Sequence, residues 1–271
     1  MNELTSGQSE PSSLQLKQAL IESWVDPVVR AETLFNIRTA KGEIVPLVLP
    51  EPHKRFLRSG ILGKGRRLLK RGLVYRRINN KGRQEGFSII AAIEAIMIAE
   101  DYPNTFQYYI AVRGDQSESF LNKVDQLVRD ANHWPEDWGG GPILHWTEKS
   151  MLKKTVKVIN GCTITGLTAN PAGLRGDTAI NVVIDEYAWM IMRKNQQEET
   201  YAAIKHFLRQ GGSLTVQSTP RVTTDKFWNF VEKAAELGFD KLYNPVIENW
   251  EQLDLQSPLF IDFDNERRKM S

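Results

Sequence analysis

Residues 73–100 read LVYRRINNKGRQEGFSIIAAIEAIMIAE, and how this stretch divides decides the fold. LVYRRI (73–78) has the composition of a strand, and Ser88 to about Glu100 has the length and apolar content of a helix buried on most sides. Between them NKGRQEGFS (80–88) carries Gly82 and Gly86, which allow close approach of the backbone to an anion. A helix starting directly after such a loop aims unpaired N–H groups and its positive dipole end into it. Strand, glycine loop and helix is the layout of a phosphate cradle. The usual pattern, GxxxxGK followed by Ser or Thr, fails at Phe87, which stands where lysine belongs. Lys81 enters the loop from the opposite side, and Arg83 offers a planar fork for phosphate oxygens. Ser88, at the helix start, is placed either to cap the helix or to complete a magnesium shell. Taken alone, the motif also fits an ordinary basic strand-to-helix turn.

The rest of the chain repeats the alternation. TFQYYIAV (105–112) reads as a strand, RGDQSES as its turn and helix N-cap, and FLNKVDQLVRDA (120–131) as the helix. TVKVINGCTITGL (155–167) places Asn160-Gly161 between β-type runs, a hairpin signal. AINVVIDE (179–186) and SLTVQSTP (213–220) are nearly continuous apolar or β-rich runs, as expected of central parallel strands. Helices are expected at about 196–210 and 224–237, and QLKQALIESWVDPVVRAETLF (15–35) has helical spacing broken near Pro27. Together these predict an α/β fold, a three-layer sandwich with a mainly parallel central sheet.

With 271 residues, 41% hydrophobic and 25% charged, the chain lies in the globular range. No apolar run approaches the roughly 18 residues that cross a bilayer, and the polar start MNELTSGQSEPSSLQ lacks a signal peptide's apolar middle. No membrane association and a cytoplasmic setting are therefore expected. The single cysteine, Cys162, excludes an intrachain disulfide and reads as a small core residue. The net charge of +2 conceals a block, residues 54–83, holding twelve Lys or Arg and no acid. Such a block either neutralises a polyanion or forms a solvated face. Residues 1–14 read as a flexible arm.

Parallel sheets bind ligands beyond the carboxyl ends of their strands, so three strand ends bear reading together. NKGRQEGFS is the first. VVIDEYA delivers Asp185 and Glu186, matching the acid pair of water-activating ATPases, in which one carboxylate holds magnesium and the other orients or deprotonates water. VQSTP ends in Ser218 and Thr219, hydroxyls able to sense a γ-phosphate.

With LRGDTAINVVIDEYAWM and GGSLTVQSTPRVTTDKFW read in sequence, the chain resembles the ATPase portion of viral large terminases of the tailed-bacteriophage type, over about residues 45–250. The resemblance implies a P-loop NTPase of the additional-strand catalytic-glutamate class, with ATP and magnesium as cofactors. Some members carry the loop lysine early, which Lys81 matches. By resemblance, Lys81, Gly82, Arg83, Gln84, Glu85, Gly86, Phe87 and Ser88 form the phosphate loop. Ser88 and Asp185 hold the magnesium, Glu186 activates water, and Ser218 and Thr219 couple phosphate state to movement. Arg175, in LRG, matches a trans-acting arginine finger; a salt bridge to Asp177 or Glu186 is its structural alternative. Implied partners are double-stranded DNA, a portal protein, a small terminase subunit and further copies of the chain in a pentameric ring, acting transiently in the host cytoplasm. Residues 15–250 would be the motor domain and 251–271 a linker toward a nuclease domain that this chain lacks. The family's adenine-reading glutamine has His53 at the comparable place, in LPEPHKRFL. Trp134, Trp138 and Trp146 are expected to be partly buried packing residues. Two other functions fit less of the pattern: a helicase-like nucleic-acid-dependent ATPase, and a catalytically dead assembly or DNA-binding module.

Overall fold

The computed structural model describes residues 26–39, 41–82, 86–133, 146–150, 154–158, 160–170, 178–191, 195–205, 208–219 and 226–243. The expectations for residues 1–14, Trp134, Trp138 and 244–271 lie outside these, as does the side chain of Trp146. The elements in chain order are α1 (Pro27–Leu34), β1 (Asn36–Arg38), β2 (Ile44–Pro46), α2 (Glu51–Ser59), α3 (Arg66–Lys70), β3 (Tyr75–Asn80), α4 (Phe87–Asp101), β4 (Phe106–Ala111), α5 (Gly114–Arg129), β5 (Trp146–Ser150), β6 (Thr155–Val158), β7 (Thr163–Thr168), β8 (Ala179–Ile184), α6 (Gln196–Lys205), β9 (Leu208–Ser218), α7 (Lys226–Glu232) and β10 (Asp240–Tyr243).

An eight-stranded sheet runs in the order β10-β3-β9-β8-β4-β7-β6-β5. From β10 through β7 every pairing is parallel, and β7-β6 and β6-β5 are antiparallel. The β6-β7 hairpin turns at Asn160-Gly161 as expected, with Gly161 at φ +86° and Asn160 Oδ1 accepting from the Cys162 amide at 3.1 Å. Side chains alternate across the sheet. Tyr109, Ala111 and Val183 join α4 and α5 in one core, while Tyr108, Ile110, Val182 and Ile184 join α6, α7 and Tyr187 in the other. The result is the expected helix-sheet-helix sandwich.

Local differences have local causes. The helix expected from 120 begins at Gly114, because Gln116 Oε1 accepts from the Arg113 amide at 3.1 Å and closes the first turn there. The helix expected over 196–210 ends at Lys205, and 208–212 extend β9 instead. Gly211, at φ +93°, takes up the extra length where the β8-β9 register shifts. α1 starts at Pro27, where the Asp26 carboxylate caps the Val28 amide at 2.9 Å. α7 covers only Lys226–Glu232 of the expected 224–237. Cys162 is fully buried, in keeping with its apolar sequence context.

What matters for the site is that β9 lies between β3, which leads into the glycine loop, and β8, which carries the acid pair. Asn80 pairs with Ser218 and Ile184 with Val216, so three polar strand ends stop at the same level.

Candidate functional site

The loop is entered and left by backbone devices. Lys81 continues the ladder by donating its amide to the Ser218 carbonyl at 3.1 Å. The chain re-enters the described residues at Gly86, whose φ of +72° in the left-handed region suits glycine, and α4 starts at once. Phe87 then turns inward. It is 2% exposed, edge-on to His53 at 4.8 Å and tilted against Phe56 at 5.6 Å. The side chain at the place of the usual lysine is therefore a core anchor, and only the Phe87 backbone N–H is left for an anion. His53 is fully buried in the same contact.

Lys81 is the cation that the structure places beside the acid pair. Buried to 6% exposure, its ammonium lies 2.7 Å from Glu186 Oε1 and 3.2 Å from Asp185 Oδ1. Burial opposes its charge, but the Asp185 and Glu186 carboxylates outweigh burial and leave its pKa raised. Asp185 behaves reciprocally. Burial pushes its carboxyl up, while Lys81, Tyr109 and Gln217 pull it further down, so its pKa ends below the ordinary carboxylate value.

Asp185 is saturated with donors. Oδ1 takes the Gln217 amide at 3.1 Å and the Glu186 backbone N–H at 3.0 Å, besides Lys81. Oδ2 takes the Tyr109 phenol and, at 3.3 Å, the Ser88 hydroxyl. Glu186 sits in the left-handed region at φ +52°, a conformation costing a non-glycine residue roughly 1–3 kcal/mol. That turn brings Oε2 to 3.3 Å from Ser218 Oγ and 3.5 Å from the Thr219 amide. Ser218 Oγ in turn accepts from the Ala188 amide at 3.1 Å, tying the end of β9 to the turn after the acids.

The spacing of two residues fits a magnesium ion. Neighbouring ligands of an octahedral ion at 2.0–2.1 Å stand roughly 3 Å apart, and Ser88 Oγ and Asp185 Oδ2 are 3.3 Å apart. Among the described residues no group of three His, Cys, Asp or Glu gathers to form an all-protein metal cage, and magnesium beside phosphates does not need one. Asn80 Oδ1, Gln217 Oε1 and Thr219 Oγ1 are buried without a hydrogen-bond partner among the described residues. Orphaned polar atoms at adjoining strand ends have the character of a ligand site.

The structure thus gathers Lys81, Ser88, Asp185, Glu186, Ser218 and Thr219, with Gly82 and Gly86 bounding the loop. Arg83, Gln84, Glu85 and Arg175 lie outside the described residues. Sequence reading missed Tyr109 and Gln217, which hold Asp185 from the two flanking strands. It also missed Lys123, half-buried on α5; burial lowers its pKa, with the Asp185 carboxylate acting the other way. A tyrosine within TFQYYIAV and a lysine within an amphipathic helix carry no local signal for such roles. Among the described residues no helix is long and apolar enough to cross a membrane.

No protein-family model and no curated protein matches the sequence. Solved structures do match. The large terminase of bacteriophage HK97 superposes with a TM-score of 0.54 at 14% identity, over 82% of this chain and 42% of that one. A large terminase from a thermophilic bacteriophage gives 0.51 at 11% identity, over 74% and 45%. The large-terminase ATPase domain of Thermus phage P74-26 gives 0.44 at 24% identity, over 58% and 63%. The matched region spans less than two thirds of each of these chains. The fold of this chain is accordingly the one it shares with these two phage large terminases of TM-score above 0.5, α/β with a mostly parallel central sheet.

Proposed function

We propose that this chain is the ATP-hydrolysing motor domain of a large terminase, one that drives double-stranded viral DNA into a procapsid. The observation that carries this reading is the meeting of Lys81 with Asp185 and Glu186 at the foot of α4, with 3.2 and 2.7 Å to the respective carboxylate oxygens. A cation arriving early in the loop stands in for the one missing at Phe87.

In the resting state Lys81 neutralises both acids. When ATP enters, the ammonium leaves them for the β- and γ-phosphates, and Arg83 joins it. Ser88 and Asp185 would hold magnesium, which spreads the developing phosphate charge when bound. Freed of Lys81, Glu186 orients the attacking water and takes its proton. Oε2 of Glu186 already touches Ser218 and the Thr219 amide, so loss of the γ-phosphate is felt at the end of β9, the route from chemistry to movement. Arg175 acts across a subunit interface of a ring, stabilising transition-state charge. DNA, portal and small subunit are the partners this function requires, and the ring acts in the host cytoplasm.

The test is magnesium-dependent ATP hydrolysis and nucleotide binding at high protein concentration. Lys81→Ala should lose binding, and Glu186→Ala should bind without turning over. Unchanged hydrolysis in both variants would remove the assignment. Mixing Arg175→Ala with Glu186→Ala subunits should restore part of the activity, and no rescue in a verified mixed ring would count against action across the interface.

A further inference from the structure

The basic block at 54–83 is not uniform once its partners are known. Lys54 lies 3.6 Å from Glu32, Arg55 3.4 Å from Glu51, Arg58 2.8 Å from Asp26 and Lys64 2.7 Å from Asp240. Arg77 is buried on Glu94, and Lys81 on the acid pair. Four further members, Arg66, Arg67, Lys70 and Arg71, are exposed and make no ion pair among the described residues. The nearby Asp101 is engaged by Arg30 at 2.7 Å.

These four occupy α3 and the residue that ends it. Positions 66/70 and 67/71 stack one turn apart, so all four share one side of the helix. Leu68 and Leu69, partly buried, occupy the other side, and α3 packs on β9. Positive charges at i,i+4 without an intervening acid repel one another, so the arrangement is tolerated on its own only to the extent that solvent screens it. The last turn of a helix welcomes one or two cations; four within six residues exceed that need.

Their place in the fold separates them from the nucleotide. α3 precedes β3 and stands at its amino end, whereas the glycine loop follows its carboxyl end. Arg66 is close enough to Tyr102 to lower its phenol's pKa against the rise that burial causes, and Tyr102 ends α4 at the extremity opposite the loop. A helix of 15 residues is about 22 Å long, so the patch and the nucleotide can be occupied together.

We infer that the Arg66, Arg67, Lys70 and Arg71 face is a binding surface for the phosphate backbone of double-stranded DNA. Exposed cations that make no ion pair among the described residues suit a partner gripped through repeated phosphates without sequence preference. The choice of DNA over another polyanion rests on the motor function proposed above. The face lies at one end of β3 and β9, whose other ends carry Lys81 and Ser218, so two strands join grip to chemistry.

The experiment measures binding of a short blunt DNA duplex by the whole chain across a salt series, with binding of a fluorescent ATP analogue measured in parallel. Replacing all four residues by alanine should flatten the plot of log affinity against log salt by about 3–4 units of slope, and leave nucleotide binding unchanged. Arg66→Lys, Arg67→Lys and Arg71→Lys together should keep the slope, since phosphates read charge. Arg55→Ala with Arg58→Ala, whose partners are acids, should change it by less than about 1. An unchanged slope in the fourfold variant overturns the inference. So does loss of poly-glutamate binding in that variant while DNA binding persists, which would mark the face as a dock for an acidic protein. Loss of nucleotide binding in wild-type chain that still binds DNA through this face would count against the motor function and leave the surface standing.

Discussion

Arg77 and Lys81 lie four residues apart on one strand and its exit, and each is a buried cation held by carboxylates. Arg77 is locked on every side. Its guanidinium reaches Glu94, Thr215 Oγ1 at 2.8 Å, the Phe56 carbonyl at 2.5 Å and Ser59 Oγ at 3.3 Å, and lies over the Phe56 ring at 3.8 Å. Burial pushes the Glu94 carboxyl up, and Arg77 with the Ile61 amide pulls it part of the way back. Among the described residues Glu94 Oε1 accepts no hydrogen bond of normal geometry, and it fills the notch left by Gly60, where an added Cβ would stand 1.8 Å from it. Lys81, by contrast, has one flexible ammonium, a partner whose side chain is 27% exposed, a strained residue at Glu186 and orphaned acceptors around it. The same chemistry is fixed in the first place and exchangeable in the second. A planar fork with five donors suits permanence, and a point charge on a long stem suits release.

That contrast can be broken by mutation. The largest effect belongs to Glu186→Gln, which should lower ATP turnover by about 10²–10⁴ in a steady-state phosphate-release assay while keeping nucleotide binding. Turnover within a factor of two of wild type would make Glu186 another ion-pair partner and nothing more. Next comes Arg77→Met, which strands Glu94 and should lower unfolding free energy by about 3–5 kcal/mol in urea titration. Adding Glu94→Leu should return much of it, a recovery not expected of Lys81→Met with Asp185→Leu as regards nucleotide binding. Gly60→Ala should cost about 1–3 kcal/mol by crowding Glu94, with nucleotide affinity unchanged in the folded fraction.

The smallest effect is a pH dependence. Asp185 has a folded pKa below its unfolded value of about 3.9, so its contribution is present above that pH and fades as pH falls through the folded value. Lys81 has a folded pKa above about 10.4, so its contribution is present below that pH and fades as pH rises through the folded value. Asp185→Asn should therefore flatten the acid limb of a stability-pH curve below about pH 4. An unaltered acid limb would mean that the pair does not couple to folding.

The parts of this molecule legible in its sequence are those written locally. β4 and β8 are apolar runs, α4 is a helix apolar on nearly every side, and Asn160-Gly161 is a local turn signal, which the Asn160 side chain reinforces by donating to the Ala99 carbonyl at 2.6 Å. The site is legible because each half ends a strand: Lys81 after β3, Asp185 and Glu186 after β8. What stays hidden depends on distant chain. β1 and β2 are three residues each, too short to carry a period, and β10 is four residues at the sheet's edge. Glu94 in IIAAIEAIMIAE is an acid in the apolar middle of a helix, a place that a buried cation must meet, yet only the fold shows that the cation is Arg77. Phe87 breaks a motif in the sequence and completes a pocket in the structure, where His53 and Phe56 surround it. The end of α6 escapes a propensity argument because RQGGS follows the helix as a bulged strand, held by pairing with β8 and not by its own preference.

The central claim, that Lys81 trades the acid pair for phosphates, is tested most directly by a crystal structure with magnesium and a non-hydrolysable ATP analogue. The account predicts that the Lys81 ammonium leaves its 2.7 Å contact with Glu186 and lies within hydrogen-bonding distance of the phosphate oxygens, with Ser88 and Asp185 on the metal. Nucleotide bound with that ammonium still between Asp185 and Glu186 would contradict it.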